Sequence, residues 1–270
     1  MKSLIFAFFA FFAVNPLLAS LEPGQTADVP IIMYHALEEH PSNRWEITAA
    51  EFESDLKWLA ANGYNPVVMQ DLIDFVHQGK ALPPKPIVLS FDDGRQPALD
   101  LMLPMLEAYD IQVTKAIIGA ITDKYTKIVE EGNDGPHPHM TWDCVRKAAD
   151  SGRIEIQSHT YDLHGPKGVG KKGDEGLEQY RARLLGDLGQ FAQVLADNTG
   201  LVSNCLTYPL GILTPVSDEI IREGGYLASL SCYEKISTIT VGQPDCLFAL
   251  GRFLRPPGMS SPAFFQKVLN

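Results

Sequence analysis

Short apolar runs alternate with helix-type amphipathic stretches through most of this chain, and that alternation limits the fold more than any other feature. The runs are Ile31 to Tyr34, Pro66 to Met69, Pro86 to Leu89, Lys115 to Ile121, Arg153 to Ser158, Cys205 to Tyr208, Tyr226 to Cys232 and Phe248 to Leu254. Between them lie helical patterns with readable ends. Thr48 opens one, with Glu51 three residues on as a capping box and Phe52, Leu56 and Leu59 on one face, and Gly63 stops it. Thr141 opens another through Val145 and Ala148, closed by Ser151 and Gly152. Strands that alternate with helices build a parallel sheet. About seven to eight units point to a distorted or incomplete (β/α) barrel rather than an open sheet, and no glycine-rich phosphate loop follows the first strand. Two stretches lack periodicity, Asp123 to His139 and Gly165 to Gly176, and read as loops; the second reads equally as a flexible rim over a site or as a surface insertion.

The N-terminus has the layout of a secretory signal peptide: Lys2, an apolar stretch from Leu4 to Val14, then small residues at Ala19 and Ser20. The expectation is a leader over residues 1–20 and one domain over 21–270, secreted or periplasmic. The apolar stretch is too short to span a bilayer, so no transmembrane segment is expected. With 22 Lys plus Arg against 33 Asp plus Glu, the net charge of −11 repels phosphates, and no nucleic acid partner is expected. Cys144, Cys205, Cys232 and Cys246 match no zinc-finger spacing, and read as one or two structural bridges or as buried thiols.

The candidate chemistry sits at strand ends. Pro86 to Leu89 runs into Ser90-Phe91-Asp92-Asp93-Gly94, and Arg153 to Ser158 runs into His159-Thr160-Tyr161-Asp162-Leu163-His164. Barrel enzymes keep their reacting groups at such ends. One carboxylate and two imidazoles make an open metal site, with Asp93, His159 and His164 as ligands and Asp92 left over. The histidines are five apart, so they do not share a helix face and must converge through a strand end and a turn.

The first motif resembles the (S/T)FDDG signature, and the second the HTxDLH signature, of polysaccharide deacetylases of the NodB-homology type, carbohydrate esterase family 4. Trp142 with Ser151-Gly152-Arg153, Tyr208-Pro209-Leu210-Gly211, and Arg252 followed by Pro256 to Ser260 resemble the extracellular branch of that family, which acts on poly-β-1,6-N-acetylglucosamine. The resemblance implies a hydrolase of linear amide C–N bonds that removes N-acetyl groups from a polysaccharide substrate. Its cofactor would be a divalent metal ion, most often zinc, with cobalt or nickel as alternatives. It implies that Asp92 is the base that takes a proton from water, and that the Leu210 N–H faces the developing oxyanion. Leucine stands where the family's turn carries tyrosine. Many members place a histidine late in the chain as general acid, and none follows His164 here. The extracellular branch is circularly permuted and uses an early Tyr-His pair instead, which implies His35 after Tyr34. The family arginine that orients the base is replaced near Thr207, and Arg252 is the nearest substitute. Peptidoglycan or chitin-type deacetylation, and a secreted carbohydrate-binding barrel without activity, are the alternative readings. His40, His77, His137 and His139 lie in helices or loops away from strand ends and are left outside the site.

Overall fold

Twelve strands form among the described residues: β1 (Thr26–Val29), β2 (Ile31–Tyr34), β3 (Ala36–Leu37), β4 (Glu46–Ile47), β5 (Asn65–Val67), β6 (Pro86–Phe91), β7 (Val113–Ile117), β8 (Ile154–Ser158), β9 (Cys205–Thr207), β10 (Ala228–Leu230), β11 (Ser237–Thr240) and β12 (Phe253–Leu254). The helices are α1 (Ala49–Ala61), α2 (Met69–Gln78), α3 (Gln96–Ala108), α4 (Gly119–Glu130), α5 (Trp142–Asp150), α6 (Leu177–Thr199), α7 (Ser217–Glu223) and α8 (Ser261–Leu269). The structure is a computed structural model that describes residues 20–133, 135–165 and 168–269. The leader read over residues 1–20 lies, but for Ser20, outside the described residues.

Eight strands make one parallel sheet in the order β10-β9-β8-β7-β6-β2-β12, with β5 paired to β6 beside this path. The first half of β6 takes β5 and its end takes β7. An isolated bridge from Leu230 to Leu250 links β10 to the segment before β12, so the sheet curls into an incomplete (β/α) barrel whose seam is one bridge rather than a strand ladder. Side chains alternate across each strand. In β6, Ile87, Leu89 and Phe91 face a cluster with Phe52 and Leu56 of α1, Leu99 and Met102 of α3, and Val145 of α5. Val88 faces the opposite cluster, where α2 and the antiparallel β1–β11 ribbon pack against Ile31, Cys205 and Leu230. By the same parity Ser90 and Asp92 follow Val88 onto that inner face, at the end where the strand stops.

The capping box forms as read: Glu51 N–H donates to Thr48 Oγ1 at 3.1 Å, and Thr48 N–H donates to Glu51 Oε2 at 2.8 Å. Several boundaries differ from the sequence reading. Lys115 to Ile121 is not one strand, because β7 ends at Ile117 and α4 begins at Gly119. That helix also takes up Asp123 to Glu130 of the supposed loop; Thr122 and Thr126 hide their hydroxyls by bonding back to the carbonyls four residues earlier. The first apolar run after α1 ends at Val67, and Met69 opens α2 because its N–H and that of Gln70 are received by the half-buried Glu155 carboxylate. Of Phe248 to Leu254 only Phe253–Leu254 is strand, since Ala249 takes a left-handed φ of 51° that interrupts the run. The described residues of the Gly165 to Gly176 stretch, Gly165 and Gly168 to Gly176, are irregular, as read, but pinned: Arg183 donates to the Gly168 and Gly170 carbonyls and to Glu175, and Val169 is buried. All four cysteines are free thiols, so the bridging reading fails and the buried-thiol reading applies best to Cys205.

Candidate active site

Three turns at the C-terminal ends of β6, β8 and β9 build the site, and each holds a non-glycine residue in the left-handed region: Asp93 (φ 66°), Thr160 (φ 72°) and Leu210 (φ 57°). Such a conformation costs energy that surrounding contacts must repay. At Asp93 the repayment is visible, because the His139 ring nitrogen Nδ1 lies 2.9 Å from the Asp93 carbonyl and Met140 N–H donates to the Gly94 carbonyl. His139, set aside from sequence, therefore braces the turn that carries the aspartates. Gly94 is required there by its own φ of 63° and by Ile117, whose Cγ2 would lie 3.2 Å from an added Cβ.

Asp93, His159 and His164 converge, with one ligand atom from each lying within 4.8 Å of the others. Asp93 Oδ1 stands 3.4 Å from His159 Nε2 and 3.3 Å from His164 Nε2. Ligand atoms about 2.0–2.1 Å from a tetrahedral ion are separated by about 3.3 Å, so these spacings fit a shared cation. The buried His159 ring is fixed by its other nitrogen, which donates to the Thr207 carbonyl at 2.8 Å and leaves Nε2 facing Asp93. Burial pushes the Asp93 carboxyl up, but the two imidazoles outweigh it and hold the group well below the usual carboxylate range. Burial likewise pushes His159 down, and the Asp93 and Asp92 charges reverse this, so its pKa ends above the ordinary value. The three groups thus attract positive charge to one point.

Asp92 is placed apart from that trio. Arg252, fully buried, grips it with two parallel bonds, Nη1 to Oδ1 at 2.7 Å and Nη2 to Oδ2 at 2.9 Å. The guanidinium is itself held by the Ser231 carbonyl and Ser90 Oγ. Burial raises the Asp92 carboxyl, and the charges of Arg252, His159 and His35 together bring it below its ordinary value, so it is ionised near neutral pH. Arg255, the other buried arginine nearby in sequence, pairs instead with Asp55 of α1 and belongs to the scaffold.

The remaining candidates line the same cleft of about 460 Å³: His35 at the end of β2, exposed Leu210 in its turn, and Asp92, Asp93, His159 and His164 at the floor. Burial lowers the pKa of His35, only partly opposed by Asp92 and Asp93. Trp45, absent from the sequence reading, also lines the cleft and packs against His35 with ring centroids 4.7 Å apart and the planes tilted by 51°. The one signal for it was an isolated tryptophan in a polar stretch between two elements.

The family profile for polysaccharide deacetylases matches residues 79–229, more than half of the chain. This chain belongs to the polysaccharide deacetylase family. Among curated deacetylases it is 25% identical over 218 residues to the poly-β-1,6-N-acetyl-D-glucosamine N-deacetylase of Escherichia coli K12, an alignment covering 72% of this chain and 32% of that one. The chain thus spans about a third of the length of that relative. Among solved structures, the de-N-acetylase of Aggregatibacter actinomycetemcomitans superposes with a TM-score of 0.72 at 26% identity, covering 90% of this chain and 99% of that one. The IcaB structure from Ammonifex degensii shares the fold with a TM-score of 0.70 at 24% identity, covering 93% and 99%. The deacetylase signatures at Ser90 to Gly94 and His159 to His164 are the two strand ends that meet in the cleft.

Proposed function

We propose that this deacetylase is exported behind the residue 1–20 leader, and that residues 21–270 form a metal-dependent catalytic domain that hydrolyses N-acetyl groups of poly-β-1,6-N-acetylglucosamine. The observation that carries the reading is the division of labour between adjacent carboxylates. Arg252 takes both oxygens of Asp92, while Asp93 turns to His159 and His164. A divalent ion held by that trio, zinc by donor set with cobalt or nickel also accommodated, supplies acidification of a water and polarisation of the acetyl carbonyl. Asp92 accepts a proton from the attacking water as its oxygen bonds to the acetyl carbon. The Leu210 backbone N–H stabilises charge on the acetyl oxygen. His35 gives a proton to the nitrogen as the C–N bond breaks, so that one water is consumed and a free amine and acetic acid leave. The open cleft suits a polymer. Support for the linkage comes from the poly-β-1,6-N-acetyl-D-glucosamine deacetylase among its relatives.

Acetate release from defined β-1,6 and β-1,4 N-acetylglucosamine oligomers and from peptidoglycan, each with added Zn²⁺, Co²⁺ or Ni²⁺, tests the reading. Preferential release from the β-1,6 oligomer supports it. Faster release from the other glycans overturns the linkage, and glycan binding with no acetate under any ion overturns the activity.

A further inference from the structure

His159 has the Thr207 carbonyl to fix its ring, but nothing equivalent serves His35: its Nδ1 is buried and has no hydrogen-bond partner. A ring that must deliver a proton in one direction still needs its rotation restricted. The group against it is the Trp45 indole, 4.7 Å away between centroids and inclined by 51°. Trp45 is anchored in turn. Ala36 N–H, next to His35, donates to the Trp45 carbonyl at 3.3 Å, the β3–β4 pairing sets Ala36 opposite Glu46, and Trp45 N–H donates to Asn43 Oδ1 at 2.9 Å. The Arg44 guanidinium lies over the same indole, 4.3 Å from its centroid. The two-stranded β3–β4 ribbon therefore returns the chain so that an indole closes on the histidine it left ten residues earlier.

We infer that Trp45 is a positioning residue, its indole setting the orientation of the His35 imidazole in place of a hydrogen bond and thereby directing the proton to the departing amine. The inference rests on the proposed role of His35 as acid. Since Trp45 is partly exposed in the cleft, a sugar platform is the competing role, and it would act on KM alone.

An acid is needed for an amine leaving group and not for a nitrophenolate, which departs unprotonated. The test measures kcat for glycan N-deacetylation and for 4-nitrophenyl acetate hydrolysis on the same preparation, because their ratio cancels any loss of folded protein. The ratio is expected to fall at least tenfold in W45L and to stay within threefold of wild type in W45F, which keeps an aromatic face. An unchanged ratio in W45L, or a change confined to KM for glycan, overturns the inference. H35Q separates the two levels: a wild-type ratio in H35Q defeats the acid role itself, and a fallen ratio in H35Q with an unaltered one in W45L defeats the positioning alone.

Discussion

Asp92 and Asp93 are neighbours with opposite surroundings, and substitutions should separate them. D92N keeps the ligand trio intact and removes the base, so glycan turnover should drop by about a hundredfold to ten-thousandfold while ion binding by calorimetry persists. D93N, H159A and H164A should lose the ion along with activity. Arg252 is tested through pH. Asp92 works ionised, burial pushes its carboxyl up, and Arg252 with the two histidines holds it down. In R252M the carboxyl rises, so the acid limb of the kcat/KM profile moves to higher pH, and the buried, unpaired carboxylate costs about 3–5 kcal/mol in denaturant unfolding. A limb that stays in place would separate Arg252 from the base. Both aspartates and both histidines were legible because motif and strand end coincide in sequence. Arg252 was legible only as the nearest arginine, since its pairing with Asp92 spans 160 residues. The bracing of the turn by His139 and the closure of Trp45 on His35 were not legible, because each depends on a contact made by the folded chain.

At the scale of elements, the structure follows the sequence where local chemistry dominates and departs where tertiary contacts do. The Thr48 capping box is local, and α1 begins where it says. T48A should cost about 1 kcal/mol in thermal unfolding and leave kcat unchanged. The start of α2 is tertiary: Glu155, distant in sequence, receives its first amides, and no propensity near Met69 announces that. The apolar run into α4 hid a change from strand to helix, because a short buried run carries no period of its own. The Leu210 turn combines both scales. Gly211 has a φ of 66°, and an added Cβ would stand 2.6 Å from Cys232 Cβ and 2.9 Å from its backbone nitrogen. G211A should therefore displace the turn, lowering kcat on glycan more than tenfold at a stability cost of about 1–3 kcal/mol. Full activity in G211A would remove Leu210 from the reaction.

For the whole molecule, eight parallel strands bring residues from both ends of the chain to one cleft, with His35 just after β2 and Arg252 just before β12, its immediate partner in the sheet. The barrel class was legible from the count of alternating units; the single-bridge seam between β10 and Leu250 was not, since register between distant strands leaves no local trace. Four free thiols predict that reductant leaves the unfolding temperature unmoved. An ion that binds only the folded state adds about 2.7 kcal/mol at a hundredfold excess over Kd, so a chelator should lower Tm by roughly 5–10 °C, reversibly. The most direct measurement is acetate release from a β-1,6-linked N-acetylglucosamine oligomer by wild type and D92N, each depleted of metal and then given Zn²⁺. Zinc-loaded wild type alone should release acetate, with D92N binding the ion and releasing almost nothing; equal release by D92N, or release by wild type unaffected by metal removal, would contradict the split of Asp92 as base from Asp93 as ligand.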